Sequence, residues 1–242
     1  GHVATSPTVE VTVENGIVRL DPQDTSLNID ANNYSSHATL WGYTWPDYQP
    51  ANAILLKFDL PALPSGARVD EATLHLALVQ SDTSADASYT MTAHKIVGKS
   101  PIISRATGYT ADGQNARTPN GCCSNGVPLA QGDLSPAYDT RVVDKTVGVK
   151  TWTITAMVQD WLTDPSSNAG MVINPDVSAP RDRFRFFASV DHADVGLRPF
   201  LQIKYSIDNI PPTVAVSAPL TGTTVSGTVN VAAVAADNTG VA

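Results

Sequence analysis

Glutamate is nearly missing from this chain, with three against twenty aspartates. Glu favours helices, whereas Asp favours turns, caps and cation sites, so the imbalance speaks against a helical fold. Basic residues are also few: 15 Lys and Arg face 23 acids, for a net charge of −8. That excludes a nucleic-acid binder, which needs a basic surface to displace counterions, and disfavours a polyanion unless the cations cluster. No apolar run approaches the about 20 residues of a membrane helix. No Gly-x-Ser-x-Gly elbow, phosphate loop or His-Glu-x-x-His motif is present. No two of His2, His37, His75, His94 and His192 stand at metal-ligand spacing, so all five are read as non-catalytic.

What is present is β-rich. Thr, Val, Gly and Pro recur, and 242 residues with 42% hydrophobic content can bury one full core and part of a second. The chain opens Gly1-His2-Val3, so residues 1–7 are read as a tag or leader remnant. Thr8 to Glu14, then Asn15-Gly16, then Ile17 to Leu20 predict a hairpin with a type I′ turn, setting Val13 opposite Val18. Ala72, Leu74, Leu76 and Leu78 alternate inward with Thr73, His75 and Ala77 outward. Further strands are expected over 89–97, 150–155, 171–174, 183–189 and 200–205. One short helix is expected over 156–162, capped by Thr155 and with Met157/Trp161 and Val158/Leu162 at i,i+4 spacing.

Regular short strands with almost no helix imply an all-β, two-sheet sandwich. Residues 98–148 are rich in Gly, Pro, Ser and Asn, and are expected to form a long functional or mobile loop. Residues 207–213 form a Pro-rich linker. Beyond it, Thr213–Val216 and Val225–Val231 look like opening strands of an incomplete immunoglobulin-like domain over 214–242.

Four constellations could carry chemistry. In Arg181-Asp182-Arg183-Phe184-Arg185-Phe186, period two puts Arg181, Arg183 and Arg185 on one face, able to grip carboxylates, with Phe184 and Phe186 in the core. The plainer alternative is a solvated strand face that blocks edge pairing. In the stretch from Trp41 to Tyr48, Trp41, Tyr43 and Trp45 share a face if it is a strand, and aromatic faces stack on sugar rings. Alternatively, Trp41 caps the core and only the later aromatics are exposed.

Cys122 and Cys123 are adjacent. Their Cα atoms stand about 3.8 Å apart, short of the usual disulfide range of about 4.4 to 6.8 Å, so a vicinal bond would be strained. Such a loop-stiffening disulfide is the leading reading, with free thiols or a metal site as alternatives. Asp24, Asn28, Asp30 and Asn32 form an oxygen-rich stretch that could hold a structural Ca²⁺, or simply form turns. Paired carboxylates such as Asp191/Asp194 or Asp160/Asp164 could be imagined as a glycosidase acid and base, at a separation that sequence cannot establish.

Three segments, in order, carry a family resemblance: Ile54 to Gly66 (ILLKFDLPALPSG), Trp152 to Trp161 (WTITAMVQDW) and Arg198 to Tyr205 (RPFLQIKY). Over about residues 20–205 the chain resembles the DNRLRE-type domain of secreted bacterial and archaeal proteins, also classified as carbohydrate-binding module family 96. The resemblance implies a jelly-roll module over residues 8–206, secreted or at the cell surface, that binds a polysaccharide without catalysis. That family includes alginate-binding modules, so an acidic glycan is the first expectation. Trp41, Tyr43, Trp45 and Tyr48 would stack on sugars, with Lys57, Arg181, Arg183 and Arg185 fixing hydroxyls or carboxylates. A stalk that binds no glycan is the competing expectation, and a polysaccharide-degrading enzyme the third.

Overall fold

The computed structural model describes residues 14–45, 49–85, 89–119, 126–177, 182–207 and 211–237. Tyr48, Arg181, Cys122 and Cys123 lie outside the described residues, as do residues 8–13 of the expected hairpin and the expected tag or leader remnant over 1–7. In chain order the elements are β1 (Glu14–Leu20), β2 (Gln23–Asn28), β3 (Thr39–Trp45), β4 (Gln49–Lys57), β5 (Ala67–Ser81), β6 (Thr90–Ile96), β7 (Leu134–Val142), β8 (Gly148–Thr153), α1 (Thr155–Thr163), β9 (Met171–Asn174), β10 (Arg183–Ala188), β11 (Phe200–Ile207), β12 (Thr213–Ala218) and β13 (Ala232–Ala236). The first eleven strands make one large antiparallel sheet that curls on itself into an all-β sandwich, as the composition predicts.

The strand order is β1-β11-β5-β10-β3-β4-β9-β6-β7, with β2 paired to β4 and β8 to β5. The sheet turns over where β4 changes partner, from β3 at Gln49–Asn52 to β9 at Ile54–Leu56. A register slip at Tyr43/Thr44 sits beside this turn and another falls between β10 and β5 at Phe186/Phe187, and such irregularities bend and twist a strand.

Inside the sandwich, Ala72, Leu74, Leu76 and Leu78 of β5 are buried, as their alternation predicts. Trp152 ties the two halves together: its ring meets Phe187 edge-on at 5.9 Å, and its indole N–H donates to the Met91 carbonyl at 3.2 Å. Gly42 is required here for space, because a Cβ would stand 2.4 Å from the Met91 methyl.

β4 is buried on both faces. Leu27, Ala53, Leu55 and Val172 form a second apolar layer, covered by Ile103, Ala106, Val127, Leu129 and Ala130. The expectation of one long loop without regular structure over 98–148 is therefore corrected in its described parts. Its small apolar residues lack strand periodicity because they pack as an irregular cover on a sheet face, and its last third holds β7, paired to β6.

Two local signals also acted differently. Asn15 and Gly16 lie within β1 and not in a turn, and Gly16 makes room for the Tyr205 ring, which would stand 2.1 Å from a Cβ. The helix forms with Met157, Val158 and Trp161 buried, but Thr155 begins it without capping it, since its Oγ1 accepts the Ala72 N–H at 2.9 Å.

Contacts divide the chain into Ile17–Ala62 with Val69–Lys204, and a second unit of Gly1–Gly16, Leu63–Arg68 and Tyr205–Ala242. The second unit contains an antiparallel pair, β12 with β13. The expected strand over 213–216 forms; the one expected over 225–231 does not, and its partner is instead β13.

Candidate functional site

β3 and β10 pair antiparallel, with Tyr43 opposite Phe184 and Trp41 opposite Phe186. On β3 the odd residues Thr39, Trp41, Tyr43 and Trp45 face outward while Leu40, Gly42 and Thr44 are buried, so the three aromatics do share a face. Sequence reasoning missed their neighbours. Phe184 and Phe186 stand on that same outer face, half-buried and stacked at 4.4 Å.

The rings form an unbroken strip. Trp45 meets Tyr43 at 6.3 Å, Tyr43 meets Phe184 at 6.4 Å, and Phe186 meets Trp41 at 6.1 Å. The segment between β2 and β3 extends the strip with Tyr34 and His37, whose rings lie 4.9 and 5.2 Å from Trp41. Trp45, at the far end, is 41% exposed. Polar atoms border the rings: the Trp41 indole N–H donates to Thr39 Oγ1 at 2.8 Å, and the Tyr34 hydroxyl donates to Asp30. Burial, and then the neighbouring Asp182 carboxylate, push the Tyr43 hydroxyl above its ordinary range.

The arginine strand is inverted from expectation. Arg185 is fully buried, and its Nη1 donates to Asp82 Oδ2 and the Phe184 carbonyl at 2.9 and 2.8 Å. Its Nε reaches the Val143 and Asp144 carbonyls at 3.1 Å, and the guanidinium lies 5.1 Å from the Tyr89 ring centre. Such a guanidinium can live inside because a carboxylate, three carbonyls and a ring replace its water. Burial raises the Asp82 carboxyl, but hydrogen bonds from Lys145 and from the Ser84 and Phe184 amides pull it down to about 2. Arg183 shares the Arg185 side of β10, opposite buried Thr44, and donates to the Asp182 carbonyl at 3.0 Å. Lys57 is held at Ser100 Oγ, 3.0 Å away.

The chain matches no known family model and no curated protein.

The oxygen-rich stretch does not converge as one set: Asn28 and Asn32 gather on Asp30, while Asp24 stands apart. Asp24 and Asn28 lie four residues apart on β2, about 13 Å along an extended strand. Asp24 is 2% exposed and accepts the Val190 N–H at 2.9 Å. Asn28 donates to Asp30 at 2.6 Å, and the Asn32 amide donates to Asp30 at 2.9 Å, as in an Asx turn. Among the described residues no group of three or more His, Cys, Asp or Glu is disposed to hold a metal ion.

The carboxylate pairs are likewise engaged separately. Asp164 accepts from Ser166 and Asp194 from the Gly196 amide, each closing a short turn. Asp160 pairs with Lys95 at 2.8 Å and accepts from Tyr138, beside a cavity of about 220 Å³ lined by Lys95, Ile96, Gly98 and Ser166. Burial raises the Tyr138 hydroxyl, and the Asp160 carboxylate raises Lys95, so both hold their protons at neutral pH and neither is placed as a general base.

Proposed function

We propose that the protein is a non-catalytic polysaccharide-binding module and that the ring strip on β3 and β10 is its ligand face. The observation that carries this reading is the strip itself: seven adjoining rings, all but Trp45 and His37 half-buried, on the outer face of a sandwich. Aromatic side chains there combine apolar area with polar edges, the pairing that sugar rings require. Packing of each ring against the next keeps the surface in one arrangement, so little conformational entropy is lost on binding. The resemblance of Ile54–Gly66, Trp152–Trp161 and Arg198–Tyr205 to DNRLRE-type carbohydrate-binding modules supports the same reading, and with it a secreted or cell-surface setting.

Quenching or a blue shift of tryptophan fluorescence on titration with soluble polysaccharides tests it. Trp45→Ala and Tyr43→Ala should each weaken binding about tenfold, since losing about 1.4 kcal/mol of ring contact is one decade in affinity. Trp45 stands at the exposed end of the strip, so its variant should melt with the wild type. Absence of binding across a broad glycan panel would favour the stalk.

A further inference from the structure

We infer that the glycan on this strip is a neutral, extended polysaccharide and not a polyuronate, with Asp182 and the Tyr34–Asp30 pair as its hydrogen-bonding ends. This rests on the glycan-binding reading above and adds the ligand class. Charge placement carries it. Among the described residues, the ring-bearing side of β3 holds Thr39, Trp41, Tyr43 and Trp45, and that of β10 holds Phe184, Phe186 and Ala188. No lysine or arginine stands on that side of either strand. Arg185 is sealed inside against Asp82, and Arg183 belongs to the opposite side of β10.

Among the described residues, two carboxylates border the rings. Asp182, exposed, lies beside the Tyr43 hydroxyl at one end. Asp30 accepts a hydrogen bond from the Tyr34 hydroxyl at the other, and hydrogen bonds from Tyr34, Asn32 and Asn28 outweigh burial to hold its carboxyl below the ordinary range. Carboxylates accept strong hydrogen bonds from sugar hydroxyls and repel sugar carboxylates. From Trp41 to Trp45 alone the strip runs four strand residues, about 13 Å, and Tyr34 and His37 lengthen it. That length suits several consecutive sugar rings in an extended chain better than a single terminal sugar.

Affinity electrophoresis of the whole chain tests the inference, in gels holding glucomannan, xylan or hydroxyethyl cellulose and, in parallel, alginate or polygalacturonate, each at low and physiological salt. Retardation is expected in at least one neutral gel, with little salt dependence, and in neither polyuronate gel. Asp182→Lys should weaken the neutral interaction about fivefold, as a charge-assisted acceptor is lost, and add salt-sensitive retardation by the polyuronates. Wild-type retardation by polyuronates equal to or above that by neutral polymers overturns the ligand class while leaving glycan binding in place. Retardation by no polymer overturns both. If Asp182→Lys behaves as the wild type in every gel, Asp182 is not an end of the site.

Discussion

Arg185→Ala should lower stability by about 3–5 kcal/mol, the usual cost of removing one member of a buried ion pair. For a domain of this size that is a fall of about 10 °C in Tm. The loss has two parts. Asp82, itself buried, keeps Lys145 at 3.0 Å but loses the guanidinium at 2.9 Å. The Val143 and Asp144 carbonyls lose their shared donor.

Arg185→Met, which keeps most of the volume, should recover only part of the loss, because the buried Asp82 carboxylate is left with Lys145 alone and the Val143 and Asp144 carbonyls lose their donor. The double variant Arg185→Met with Asp82→Asn should recover more, since the buried carboxylate charge is then removed and only the partly exposed Lys145 loses its partner. Urea melts of the three proteins check this. An Arg185→Ala protein with wild-type stability would mean that the guanidinium is solvated and that the arginines do face a ligand. The pair also sets acid sensitivity. Asp82, held down at about 2, contributes stability above its ordinary value of 3.8, and that contribution is lost as pH falls from about 4 to about 2.

Asp24→Asn should have the opposite pH signature. Burial, with the charge of Asp191 adding to it and the Val190 amide opposing, pushes the Asp24 carboxyl up to about 7. Its Oδ1 has no hydrogen-bond partner, which leaves an ionised form poorly solvated. A raised acid binds more protons folded than unfolded between its two pKa values, so its contribution is complete below about pH 4 and is lost as pH rises through about 7. The rise from 3.8 to about 7 corresponds to about 4 kcal/mol between those limits.

Asn keeps the acceptor for the Val190 N–H and mimics the neutral carboxyl. The variant should therefore match the wild type near pH 4 and exceed it by about 3–4 kcal/mol at pH 8. Denaturant unfolding of both proteins across that range isolates this one group from all other titrations. Identical pH profiles would show that the carboxyl is hydrated and ordinary. The same contact joins β2 to the turn after β10, where Ser189 Oγ donates to the His37 carbonyl at 2.5 Å. Ionising Asp24 thus acts on the backbone that carries one end of the ring strip.

Much of the scaffold could be read from local pattern. Leu74, Leu76 and Leu78 gave an inward face, and Met157, Val158 and Trp161 gave a helix with one buried side, because both signals repeat with the period of their element. β2 was harder to see: its Asp24, Thr25 and Ser26 are buried polar residues, and a strand without apolar alternation looks like a turn-rich stretch. Asn15-Gly16 carried a strong turn signal, yet a glycine also serves where a ring must pass close to backbone, as Tyr205 does. The cover formed by Ile103, Ala106 and Val127 has no period at all, so only its partners on β2, β4 and β9 reveal it as core.

The strip divides in the same way. Trp41, Tyr43 and Trp45 were placed on one face by period two alone, which needs no knowledge of neighbours. Arg183-Phe184-Arg185-Phe186 has the same period, and the sequence separates its arginines from its phenylalanines without saying which pair is inside. Hydrophobicity favours burying the rings, and the structure does the reverse. Asp82 supplies the countercharge, and the Val143 and Asp144 carbonyls accept from Nε. None of these is near in sequence. The sequence by itself determined an all-β chain and the sets of side chains that travel together. Tertiary structure decided which set faces out, because the free energy of burying a guanidinium depends on partners that only folding brings to it.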